Sequence, residues 1–129
     1  MLRRTTIAAL FAAAPAMAQV PLKDVAEIRE GIIATGMAYE LSEECGALSA
    51  RTFRGLAFLN GLQNRARELG YTRAQIDAYI DDDAEKDRLE AIARARLAEL
   101  GVVEGREATY CAVGRAEIAK GSQIGRLLR

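Results

Sequence analysis

The sequence predicts an all-α fold, a small bundle of about five helices stapled by one disulfide. Three observations carry that expectation. Apolar residues recur at helical spacing along most of the chain, and no stretch alternates with period two as a half-buried strand would. Glycines and capping residues punctuate the sequence at intervals of one helix. Cys45 and Cys111 are the only two cysteines, in a chain that opens like an export signal.

The opening segment reads as an address. Met1-Leu2-Arg3-Arg4 is a short basic region, Thr5 to Ala14 is apolar and alanine-rich, and Ala16-Met17-Ala18 is a small-residue cleavage site. The apolar run is shorter than the ~20 residues a bilayer span needs. The expectation is a signal peptide over residues 1–18, cut between Ala18 and Gln19, and a single helical domain over residues 19–129 in the periplasm or outside the cell. Gln19 stands where a lipoprotein would carry cysteine, and no later segment is apolar enough to cross a membrane.

After Pro21, Asp24 is a candidate N-cap with Glu27 three residues on, and a first helix is expected to about Cys45. Val25, Ile28 and Ile32 share its face, continued by Ala34, Met37, Leu41 and Cys45. Gly31 and Gly36 on that helix predict close helix approach, and Gly46 ends it. Ser49 is the expected cap of a second helix over about 50–69, whose stripe Leu59, Leu62, Ala66 and Leu69 predicts core. Thr72-Arg73-Ala74-Gln75 is a capping box for a short third helix with Ile76, Tyr79 and Ile80 inward. Asp82, with Glu85 at the third position, opens a fourth helix to about Leu100, with Leu89, Ile92, Ala93, Leu97 and Leu100 on one side. A fifth runs from about Glu107 to Lys120 with Cys111, Gly114 and Ile118 inward. Gly121 ends it, and Ser122 caps a final amphipathic turn whose Leu127 and Leu128 close the core.

In an oxidising compartment the two cysteines predict a Cys45–Cys111 disulfide. It would tie the end of the first helix to the start of the fifth and restrict the unfolded chain by ~4 kcal/mol. There is no C-x-x-C motif, and two thiolates without histidine make a poor zinc site.

Composition removes several chemistries. The chain has 18 basic and 18 acidic residues and no histidine. Histidine-based triads and metal sites are excluded, and the balanced charge argues against a general nucleic-acid binder. Asp81 to Asp87 lacks the central glycine and the final glutamate of a calcium loop, so helix capping accounts for its acids. The sequence calls for no cofactor and no metal.

Two basic groups are candidates for an anion or a protein partner in the cell envelope. Arg51, Arg54 and Arg65 fall close together on the second helix with Phe58 among them, although such arginines more often form a solvated face paired with carboxylates. Arg115, Lys120, Arg126 and Arg129 gather near the end of the chain, a cluster that could dock an acidic partner or a lipid headgroup, although Leu127 and Leu128 beside it are expected to close the core. Glu43, Glu44, Glu107 and Glu117 are candidates by residue type for carboxylate hydrolysis, but Glu43 and Glu44 point ~100° apart on a helix.

Several blocks form a distinctive series: Phe58-Leu59-Asn60-Gly61-Leu62, then Arg65 to Tyr71, then Asp83-Ala84-Glu85-Lys86. It continues with Cys111-Ala112-Val113-Gly114-Arg115-Ala116-Glu117-Ile118-Ala119-Lys120-Gly121-Ser122 and closes with Ile124-Gly125-Arg126-Leu127-Leu128. The series resembles domain-of-unknown-function family 5333, small exported alphaproteobacterial proteins. The resemblance covers about residues 22–128 and implies export and a helical domain. It transfers no catalytic residue. The sequence therefore favours a non-enzymatic protein that binds or protects something in the periplasm, with a small carboxylate hydrolase of the envelope as the alternative.

Overall fold

The computed structural model describes residues 18–129. Nearly all of the expected signal peptide lies outside them. A 3-10 turn, Leu22–Asp24, is followed by α1 (Ala26–Glu44), α2 (Thr52–Glu68), α3 (Arg73–Ile80), α4 (Asp83–Leu100), α5 (Glu107–Lys120) and α6 (Gln123–Arg126). The fold is all-α, as the periodicity predicts, and the final turn is a sixth short helix.

Helix α1 is the hub, since α2, α4, α5 and α6 all pack on it. The main core gathers Met37, Leu41 and Cys45 of α1, Leu89, Ala93 and Leu97 of α4, Tyr110 and Val113 of α5, and Leu127 and Leu128. A smaller core at the other end joins Leu22, Ile28, Ala66, Tyr71 and Ile76. Ile32 and Tyr79 pack against both cores and connect them.

Local capping explains three helix starts. Thr72 and Gln75 form the reciprocal box, with the Gln75 N–H donating to Thr72 Oγ1 at 3.2 Å and the Thr72 N–H donating to Gln75 Oε1 at 2.8 Å. Asp82 accepts from the Glu85 N–H at 3.0 Å, and Ser122 accepts from the Gly125 N–H at 3.0 Å. Gly101 and Gly121 end α4 and α5 at positive φ, where a side chain would be strained.

Two expected caps are corrected. Asp24 lies inside the 3-10 turn, because burial of Leu22 draws the chain into that turn first, and α1 starts after Val25 with no side-chain cap. Glu27 then reaches α2, where it pairs with Arg65 at 3.0 Å. Ser49 does not cap α2 either. Residues 49–51 are extended and pair with the last residues of the chain through an isolated antiparallel bridge, Ala50 to Leu128. Ser49 and Arg129 exchange backbone hydrogen bonds at 2.8 and 2.9 Å, and the Arg51 N–H donates to Leu127 O at 2.8 Å. Helix α2 therefore begins only at Thr52.

Cys45 and Cys111 are joined, with their Cα atoms 5.2 Å apart and a sequence separation of 66. The bond links the end of α1 to the first turn of α5, as expected. Beside it, the Gly46 N–H donates to Glu107 Oε1 at 3.0 Å. Cys111 and Gly114 face inward on α5 as expected, together with Tyr110, Val113 and Glu117. Ile118 alone of the expected face is exposed, and Gly114 receives the side chains of Leu48 and Leu128 against its backbone.

Candidate functional site

The apolar stripe of α2 is not the closed core that its spacing predicts. Ala66 is buried, but Leu59 and Leu62 are half-buried and Leu69 is exposed. The reason is the placement of α2 against α1. Gly31 lets α2 approach closely there: a Cβ on Gly31 would meet Leu62 Cδ1 at 2.8 Å and Phe58 Cζ at 3.3 Å. Further along α1, α4 takes the neighbouring place. Gly36 does not mediate close approach, since its nearest neighbour would be the Ala93 Cβ at 3.9 Å.

The result is an open groove of about 850 Å³ bordered by α1, α2, α3 and α4. Its lining on α1 runs from Ile28 to Glu44, about 24 Å of helix at ~1.5 Å per residue. Ile32, Leu59, Leu62, Leu89 and Ala93 give it an apolar floor. Its rim carries Glu40, Glu43, Glu44 and Glu90, with Arg94 among them. Burial pushes the Glu40 carboxyl above its ordinary range; the charge of Arg94 counters this, and Glu44, Glu104 and Glu90 add to it. Tyr79 also lines the groove, and its hydroxyl is buried without a hydrogen-bond partner. Burial, reinforced by the charge of Glu85, raises its pKa.

The arginines singled out from the sequence divide into two settings. Arg65 pairs with Glu27 at 3.0 Å and Glu68 at 3.3 Å. Arg51 and Arg54 instead reach the end of the chain, where Arg51 Nε donates to Leu128 O at 2.9 Å and Arg54 Nη1 donates to Arg126 O at 3.1 Å. Arg115 and Arg126 are exposed, and Phe58 packs against the main core.

The carboxylates also separate. Glu43 and Glu44 are exposed on the groove rim. Glu107 holds the Gly46 N–H, and Glu117 is buried beside Lys120 Nζ at 2.9 Å. Burial alone would raise the Glu117 pKa, but hydrogen bonds from Ser122 and Lys120, with the Lys120 charge, outweigh it and lower the pKa. Cys45, Glu107 and Cys111 place ligand atoms within 4.8 Å of one another, but both sulfurs are bonded to each other and neither is the thiolate that a metal requires.

The groove itself escaped the sequence. Its only trace there is the glycine pair of α1, which reads as two close approaches where the structure makes one. Among the described residues, no helix is long and apolar enough to cross a membrane. No curated protein and no solved structure matches the chain. A family model does match, over residues 20–129, and on that match the protein belongs to the family of unknown function DUF5333.

Proposed function

We propose that the protein is an exported, non-enzymatic binding protein, and that its groove holds an amphipathic, cationic helix of a partner in the cell envelope. The groove carries this reading. The groove's lining runs about 24 Å along α1, the length of some four turns of helix, and its floor is apolar. Burial of each leucine-sized side chain there contributes about 1.5–3 kcal/mol, against the cost of ordering the partner. The rim decides the polarity of the occupant. With Arg94 paired to Glu90 and Lys86 also on the lining, Glu40, Glu43 and Glu44 still tip the rim to the acidic side, which favours lysine and arginine flanks and opposes an anionic lipid headgroup. Export, with removal of residues 1–18, is part of the proposal. The basic, apolar and A-x-A pattern supports it, and a disulfide is at home in an oxidising compartment.

The test uses a fluorescently labelled helical peptide with leucines at i, i+3, i+4 and i+7 and lysine flanks. Saturable binding to the native protein is expected, weakened by salt and by Glu43→Gln with Glu90→Gln. Gly36→Leu is expected to abolish it by filling the floor while improving the helix propensity of α1. No binding, or binding untouched by Gly36→Leu, overturns the groove as the site. Preferential capture of a fluorescent fatty acid overturns the choice of occupant.

A further inference from the structure

We propose that a second surface, made by the first turns of α2 and the last residues of the chain, docks the protein on anionic lipid. Residues 46–67 and 118–129 contain no Asp or Glu, although the whole sequence is balanced in charge. The fold joins these two segments. Arg54 donates to the Arg126 carbonyl and Arg51 to the Leu128 carbonyl, so two guanidinium groups lie against the end of the chain, where Arg126 is itself exposed. Carbonyl partners hold Arg51 and Arg54 in place, and no Asp or Glu side chain among the described residues pairs with either. Among the described residues, Arg51, Arg54 and Arg126 take part in no ion pair, whereas Arg65, Arg88 and Arg96 do.

Two apolar side chains project from the same end. Phe53 is 88% exposed and Leu56 54% exposed, one turn apart on α2. Phe53 and Leu62 are nine residues apart, which places Phe53 ~180° around the helix from the groove wall. Neither side chain belongs to a core, and Phe53 stands on the side of α2 away from the groove.

The form of the patch selects lipid as the occupant. A protein interface needs ~800 Å² of complementary surface on each partner. A phenyl ring and a leucine standing out beside arginines offer no such flat face. They suit a deformable surface, where an aromatic ring enters the boundary between headgroups and chains and arginines meet phosphate. Each such arginine strengthens attachment to anionic lipid by roughly fivefold.

Co-sedimentation with phosphatidylcholine vesicles, with and without a quarter of phosphatidylglycerol, tests the proposal on the mature protein. The expected result is binding only to the phosphatidylglycerol vesicles, reduced by salt. Phe53→Ser is expected to weaken it by about tenfold, and Arg126→Gln, which leaves both carbonyl-bound arginines in place, by about fivefold. Absence of binding, or equal binding to neutral vesicles, overturns the proposal. So does binding that Phe53→Ser leaves unchanged while Arg126→Gln weakens it, because attachment would then be purely electrostatic. The peptide assay for the groove is expected to be unaffected by Phe53→Ser, so failure of either idea is read separately.

Discussion

At Gly125 a single methyl group decides whether the last helix can sit where it does. A Cβ there would collide with the carbonyl group of Glu117 at the end of α5. The obstacle is backbone, which cannot rotate aside as a side chain can. Gly125→Ala is expected to destabilise the protein by about 1–3 kcal/mol, read as a lower urea midpoint. The neighbouring Glu117 is held by hydrogen bonds to Lys120 and Ser122, so the α5–α6 corner is rigid on both sides. Caps at this scale were legible in the sequence wherever the partner lies three residues away, as at Thr72, Asp82 and Ser122. Asp24 and Ser49 are equally good caps by residue type. They were misread because long-range partners claim their segments: the second core takes Leu22, and the final residues pair with 49–51.

At the scale of elements, the disulfide and the Ala50–Leu128 bridge fasten the same junction. One secures the end of α1 to α5, and the other secures the chain just before α2 to the residues just after α6. Both sulfurs are buried in the main core with Leu127 and Leu128. Reduction, or replacement of both cysteines by alanine, is expected to cost about 2–5 kcal/mol in denaturant unfolding. The five longer helices, the pairing of the cysteines and the closing role of the final leucines could be read from the sequence, because each rests on spacing or on having a single possible partner. The bridge could not. One pair of residues leaves no alternating pattern, and its halves are far apart in the chain.

For the whole molecule, the distribution of carboxylates sets the response to acid. Hydrogen bonding from Arg96 holds Glu30 below its ordinary value, and hydrogen bonding from Arg88 does the same for Glu85. At Glu117, burial is outweighed by Ser122 and Lys120 in the same direction. A carboxylate lowered in the folded state binds fewer protons than in the unfolded chain. Its contribution is complete above the unfolded value of ~4.3 and is lost as pH falls through the folded value. Glu40 is shifted the other way by burial, so it favours the fold in acid and opposes it once ionised. Urea midpoints are therefore expected to fall between neutral pH and pH ~3. Glu40→Gln is expected to raise the midpoint at neutral pH, with the gain vanishing in acid. The groove belongs to this scale as well, and it was hidden for that reason. The spacing of Leu59, Leu62 and Ala66 shows which face of α2 is apolar, but whether a neighbour covers that face depends on how α4 and α2 share α1.

The Ala50–Leu128 bridge also orders events in time. Residues 45–51 cannot complete their backbone pairing, or Cys45 its bond, until residues 111–129 are present. The junction before α2 is thus the last to settle during synthesis, and a chain emerging from its amino end stays without its finished core until nearly all of it is available. On the export proposed above, such a delay keeps the chain threadable, because the contacts that lock it join its distant parts.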